Sequence, residues 1–121
     1  MSNPALAFFE RLKKLAQESE EFKEELDDAS LIIAQMVIED VDYKFWVKLG
    51  EGIVDYGEGE VDNPSFTMAA TQEIMNGIRT GEVEGTSAYM SGELKIEGNL
   101  QDAIAYGEIL GVAGDILEDM G

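Results

Sequence analysis

The sequence predicts a single α/β domain in which five strands and four helices share one core. Residues 43–49 and 93–97 alternate apolar and polar side chains with the period of two that a half-buried strand requires. Residues 5–16 and 99–119 instead repeat their apolar positions every three or four residues, as helices do. The 121-residue chain is also 45% hydrophobic, enough for one packed domain despite a net charge of −18. Residues 1–28 read as a helical segment and 30–120 as the α/β core it joins.

The first helix is expected over 4–27. Asn3-Pro4 has the form of an N-cap followed by proline at the first helical position. Ala5, Phe8, Phe9, Leu12, Leu15 and Ala16 share one face, and Phe22 and Leu26 carry it past Ser19, a point of bending or breaking. Residues 31–38 are apolar on both alternating faces apart from Gln35, as in a central strand covered on two sides. Residues 43–49 put Tyr43, Phe45, Val47 and Leu49 on one face and Lys44, Trp46 and Lys48 on the other. Gly50-Glu51-Gly52 turns the chain into a strand at 53–57, so the first three strands form an antiparallel meander.

An acidic loop at 57–64 leads to a strand at 65–69 and, from a Thr71 cap, to a helix at 71–80. There Ile74, Met75 and Ile78 face inward, Gln72, Glu73, Asn76 and Arg79 face out, and Gly81 ends the helix. A short helix at 84–91, the strand at 93–97, the turn at Gly98 and a cap at Asn99 complete the core. In the last helix, 99–119, Gln101, Glu108, Asp115 and Asp119 form one narrow polar stripe, so most of its circumference is expected to be covered. Ala103, Gly107, Gly111 and Gly114 form a ridge of small residues there, suited to close approach of another element, to an apolar ligand or to a partner surface.

Composition excludes several functions. Without cysteine there is no disulfide, thiolate nucleophile or thiolate metal site, and without histidine the commonest general base and metal ligand is missing. No enzyme chemistry is assembled by the remaining Tyr, Lys and carboxylates, and neither a cofactor nor a metal is expected. Asp40 with Asp42, and Asp115 with Glu118 and Asp119, lack the calcium-loop pattern and read as solvated acids. Gly57-Glu58-Gly59 has neither dinucleotide nor phosphate-loop spacing. With 26 Asp plus Glu against 8 Lys plus Arg and no basic patch, nucleic acid is not a partner.

The N-terminus breaks into charge at Glu10, Arg11, Lys13 and Lys14, unlike a signal peptide, and no apolar run reaches membrane-spanning length. The expected protein is acidic, soluble and cytoplasmic. Met36, Met68, Met75, Met90 and Met120 are more methionine than a small core needs, which fits either adaptable filler or a pliable apolar pocket.

The run Ser91-Gly92-Glu93-Leu94-Lys95-Ile96-Glu97-Gly98-Asn99 resembles the Gly-x-Leu-Lys-Ile-x-Gly-Asp/Asn signature of the sterol carrier protein type-2 family. Phe66-Thr67-Met68 and the following helix precede it at the family's distance, and Tyr43 to Leu49 is similar to its strand before an acidic turn. The resemblance covers about residues 30–112 and implies a five-stranded mixed sheet covered by helices around an apolar tunnel. It further implies non-catalytic binding and transfer of a sterol, fatty acid, acyl-CoA or other lipid. The inward faces place Met68, Ile74, Met75, Ile78, Tyr89, Met90, Ile104, Gly107, Leu110 and Gly111 around such a ligand, in a cavity of roughly 300 Å³ or more. The alternative is an accessory or protein-interaction module, a homodimer for example, using the same apolar surface without lipid. The strong acidity departs from the family's basic members. Arg11, Lys13 and Lys14 beside Phe8 and Phe9 either solubilise a packed helix or, if the protein makes a transient membrane contact, place that contact on the first helix.

Overall fold

The structure, a computed structural model, describes residues 4–80 and 82–120. The cap expected at Asn3 and the helix stop expected at Gly81 lie outside these residues.

The N-terminal segment forms two helices, α1 (Pro4–Glu18) and α2 (Glu20–Asp28), where the periodicity predicts one. Ser19 is the reason. Its backbone is extended, and its Oγ accepts the Phe22 N–H at 3.3 Å, capping α2 while ending α1. Strands β1 (Ile32–Ile38), β2 (Tyr43–Gly50) and β3 (Ile53–Glu58) form the expected meander. Gly50 has φ +123°, and a Cβ there would collide with the Ser30 carbonyl, so only glycine fits this corner.

Strand β4 (Phe66–Ala70) lies parallel to β1 on its other side, and β5 (Lys95–Gly98) runs antiparallel at the edge beyond it. The order β3-β2-β1-β4-β5 makes a mixed five-stranded sheet. β5 begins two residues later than the alternation predicts, because Leu94 is drawn into the core and its N–H donates to the Ala88 carbonyl at 3.0 Å. Helix α3 (Gln72–Thr80) is capped by Thr71 Oγ1 and by Asp40 Oδ1, which accept the Ile74 and Gln72 N–H groups at 3.3 and 2.9 Å. Helix α4 (Gly85–Ser91) is short, and Asn99 Oδ1 caps the long α5 (Leu100–Met120) by accepting the Asp102 N–H at 3.1 Å.

Register fixes which sheet face carries the core. Ala34, Met36 and Ile38 stand beside Val47, Phe45 and Tyr43 on β2 and beside Phe66, Met68 and Ala70 on β4. Phe9, Leu12, Leu15, Phe22, Leu26, Tyr106, Ile109 and Ala113 pack on this face from α1, α2 and α5. Each such large side chain stabilises the fold by about 1.5–3 kcal/mol through burial. The domain therefore has two layers, helices over one face of the sheet.

The other face carries Ile33, Gln35, Val37, Lys44, Trp46 and Lys48, and among the described residues no helix covers β1 there as the two-sided reading of 31–38 expects. Gln35 is nevertheless 7% exposed, because the acidic loop folds across it. Its Nε2 donates to the Phe45 and Gly59 carbonyls at 3.1 and 3.0 Å, and its Oε1 accepts the Val61 N–H at 2.8 Å. The one interruption in the apolar run is thus a satisfied clip for the loop.

Helix α5 corrects a second expectation. Ala103, Tyr106, Ile109, Ala113 and Ile116 are buried, whereas Leu100, Ile104, Gly107, Gly111 and Gly114 join the polar stripe on the exposed side. A Cβ built at Gly107, Gly111 or Gly114 meets nothing within 4 Å, so among the described residues no element approaches the three glycines of the ridge, and only its Ala103 is buried.

Candidate functional site

The apolar residues of α1, α3 and α5 meet the core face of the sheet around one half-open hollow. Met36 and Ile38 of β1, Phe45 of β2 and Met68 of β4 form its floor. Phe9 of α1, Met75, Asn76 and Ile78 of α3, and Tyr106 and Leu110 of α5 form its walls and roof. Its volume is about 40 Å³, room for a water molecule or two and well short of the ~300 Å³ expected of a preformed lipid cavity.

Of the sequence-predicted site residues, Met68, Met75, Ile78 and Leu110 line this hollow, and Ile74 packs half-buried on the core. Tyr89, Met90 and Ile104 are instead 41%, 81% and 53% exposed, and Gly107 and Gly111 lie on the open side of α5. The physical reason is the orientation of two helices. Helix α4 buries Ala88 alone, and α5 turns Tyr106, Ile109 and Ala113 inward, carrying the glycines to solvent.

Six lining residues are absent from the sequence-derived set: Phe9, Met36, Ile38, Phe45, Asn76 and Tyr106. The strand members had a readable signal, since Phe45 shares the alternating face that includes Val47 and Leu49. Phe9, expected beside the basic residues of a membrane contact, is buried in the core with its ring 6.3 Å from that of Phe45.

Tyr106 is the polar residue buried deepest here. It is 4% exposed, its ring meets Phe66 edge-on at 5.6 Å, and burial pushes its hydroxyl pKa up. No charged side chain among the described residues lines the hollow. Helix α3 forms the roof and is thinly seated: Ile74, Met75 and Ile78 hold it, each only half-buried.

A larger hollow of about 670 Å³ lies between α1, α2 and β3, lined by Lys13, Ala16, Gln17, Lys23 and residues 52–55. It is an open cleft with a mixed polar and apolar lining, so an apolar molecule there would keep much of its surface in water. Among the described residues, no group of three carboxylates is placed to hold a metal ion, and no helix is long and apolar enough to cross a membrane.

Residues 9–111 match the SCP-2 sterol transfer family. No curated protein sequence matches the chain. Among solved structures, the UbiJ-SCP2 ubiquinone synthesis protein is 15% identical with a TM-score of 0.70, over 90% of this chain and 97% of that one. The sterol carrier protein domain 2 of Helicoverpa armigera is 16% identical with a TM-score of 0.65, over 94% of each chain. A stereoselective inverting sec-alkylsulfatase from Pseudomonas sp. is 20% identical with a TM-score of 0.59 over 67% of this chain, which spans only 12% of that enzyme. At these identities the likeness is one of fold.

Proposed function

The chain belongs to the SCP-2 sterol transfer family, and from that premise we propose that it binds an apolar, lipid-like molecule without transforming it and passes it on. The observation that carries this reading is the apolar hollow, walled by three methionines, two phenylalanines and aliphatic side chains at the junction of sheet, α1, α3 and α5. Methionine side chains rearrange at little cost, so such a wall accommodates ligands of irregular shape. At about 40 Å³ the hollow must enlarge to take a lipid, and the thinly seated α3 is the element that moves. Met68, Met75, Ile78 and Leu110 are then ligand contacts, with Phe9, Met36, Ile38, Phe45 and Tyr106 added. Tyr89, Met90, Ile104, Gly107 and Gly111 contact the ligand only where it passes the surface.

The proposed activity is binding, not catalysis. The lining holds no carboxylate, lysine or serine among the described residues, and its one hydroxyl is a tyrosine whose pKa is raised away from the range of a base. Organic extraction of the purified protein followed by mass spectrometry tests the reading. Retained lipid, or saturable uptake of the neutral dye Nile red that Met68→Glu abolishes in a folded protein, supports it. The absence of both retained lipid and dye uptake overturns it.

A second reading is favoured by one observation. Leu100 and Ile104 stand 44% and 53% exposed on the glycine side of α5, an apolar strip open to a partner or a second copy. An accessory module would use this strip, as the likeness to the UbiJ-SCP2 ubiquinone synthesis protein allows. A concentration-dependent dimer broken by Ile104→Glu, in protein free of lipid, would favour it.

A further inference from the structure

We propose that Tyr106 is the head-group residue of the apolar hollow, selecting apolar molecules that carry an uncharged oxygen acceptor, as in an alcohol, ketone or ester, over ionised fatty acids. This rests on the carrier reading and adds to it the class of ligand.

Buried hydroxyls are as a rule hydrogen-bonded, since leaving one unpaired away from water is costly. The Tyr106 hydroxyl finds no acceptor among the described residues of the protein. The residue is 96% buried by its 4% exposure, and it lines the hollow. No fully enclosed side-chain polar atom among the described residues lacks a partner, so this hydroxyl is not sealed in protein and keeps open space beside it. A donor that no described protein group takes up, next to an apolar hollow, is the complement of a ligand that is apolar except for one oxygen.

The charge of that oxygen follows from what surrounds it. The lining contains no Lys or Arg among the described residues. A carboxylate entering the hollow would lose its water without gaining a counter-ion, and burial of an unpaired charge is far more costly than burial of a neutral oxygen. The chain's net charge of −18 raises that cost. Burial also keeps the tyrosine protonated, and therefore a donor, beyond the pH range in which a free tyrosine ionises.

Displacement of Nile red by decane, 1-decanol and decanoate separates the possibilities. At pH 8 decanol is expected to bind at least about tenfold more tightly than decanoate. Decanoate should gain affinity as pH falls toward 5 and the acid takes up its proton, whereas decanol should not change. Tyr106→Phe, which keeps the ring, should weaken decanol about five- to tenfold and leave decane unchanged. Equal affinities for decanol and decanoate at pH 8 overturn the proposal while leaving the carrier reading intact. So does decanol binding that is indifferent to Tyr106→Phe in a variant with an unaltered thermal melt. Failure of the dye, decane and decanol alike overturns both.

Discussion

The ring of Tyr106 meets that of Phe66 edge to face, with centroids 5.6 Å apart and planes at 69°, and this contact ties the middle of α5 to β4. Such pairs contribute about 0.5–1.5 kcal/mol beyond the area they bury. Because Tyr106→Phe preserves the ring pair and deletes only the hydroxyl, the variant isolates what the hydroxyl does.

Alkaline stability should change accordingly. Burial raises the pKa of Tyr106 well above 10, and burial, with the hydrogen bond to Glu58 second, raises that of Tyr43 to about 12. In the unfolded chain both ionise near pH 10, while in the fold they keep their protons. Above pH 10 the native state therefore holds more protons than the unfolded state, and stability falls as pH rises. Below pH 10 neither group contributes a slope. Urea denaturation across about pH 9 to 11.5 should show the decline, up to about 1.4 kcal/mol per pH unit for a fully buried group. Tyr106→Phe should flatten it. An equally steep decline in the variant would assign the slope elsewhere.

The exposed glycines of α5 should be improvable. Glycine in a helix interior is less favourable than alanine by about 0.5–1 kcal/mol, and at Gly107, Gly111 and Gly114 an added methyl meets nothing within 4 Å. Each single change to alanine should raise the urea midpoint. Gly111→Leu, which a ligand-facing ridge would not tolerate, should leave dye binding intact. Destabilisation by Gly111→Ala would mean that another surface covers the ridge in solution.

What the sequence made legible divides along the same lines. The strands, the meander and the caps at Thr71 and Asn99 follow from local periodicity and capping chemistry, which tertiary packing reinforced. The parallel pairing that sets Met36 beside Met68 does not, because two distant strands carry no local mark of adjacency. The site was half legible. Inward faces of α3 were right for Met75 and Ile78, but on α5 the apolar residues ran so far around the helix that periodicity did not choose a buried side. Small residues were read as contacts there, when Tyr106 and Ile109 hold that position and the glycines face solvent. Gln35 carried no signal except its presence in an apolar run.

Gln35 therefore gives a sharp test of the sheet's outer face. Gln35→Leu keeps the volume but strands the Val61 N–H and the Gly59 carbonyl, groups that Gln35 now satisfies. A loss of about 1–3 kcal/mol is expected from each buried group left unpaired, less where water reaches it. Amide exchange at Val61 should quicken in particular. An unchanged denaturation midpoint together with unchanged exchange would show that the loop is held by its own turns.

Salt should stabilise the domain, an outcome that depends on repulsion outweighing pairing. The chain carries 26 acidic against 8 basic residues. Among the described residues only two ion pairs form, Lys44–Glu60 and Lys95–Glu39, both 3.0 Å long and well exposed. Exposed pairs of this kind contribute about 0–1 kcal/mol each, so screening them sacrifices little. The repulsion among the unpaired carboxylates acts over the whole surface, and it is screened as the Debye length shrinks from about 30 Å at 0.01 M to 3 Å at 1 M. The thermal midpoint should rise by several degrees between about 0.01 and 0.5 M sodium chloride, with Lys44→Ala and Lys95→Ala leaving most of that rise in place. A midpoint that falls with salt would mean that the two pairs outweigh the net charge. Because magnesium can bridge carboxylates and sodium does so poorly, a rise in sodium chloride equal to that in magnesium chloride at matched ionic strength would assign the effect to screening and not to cation binding.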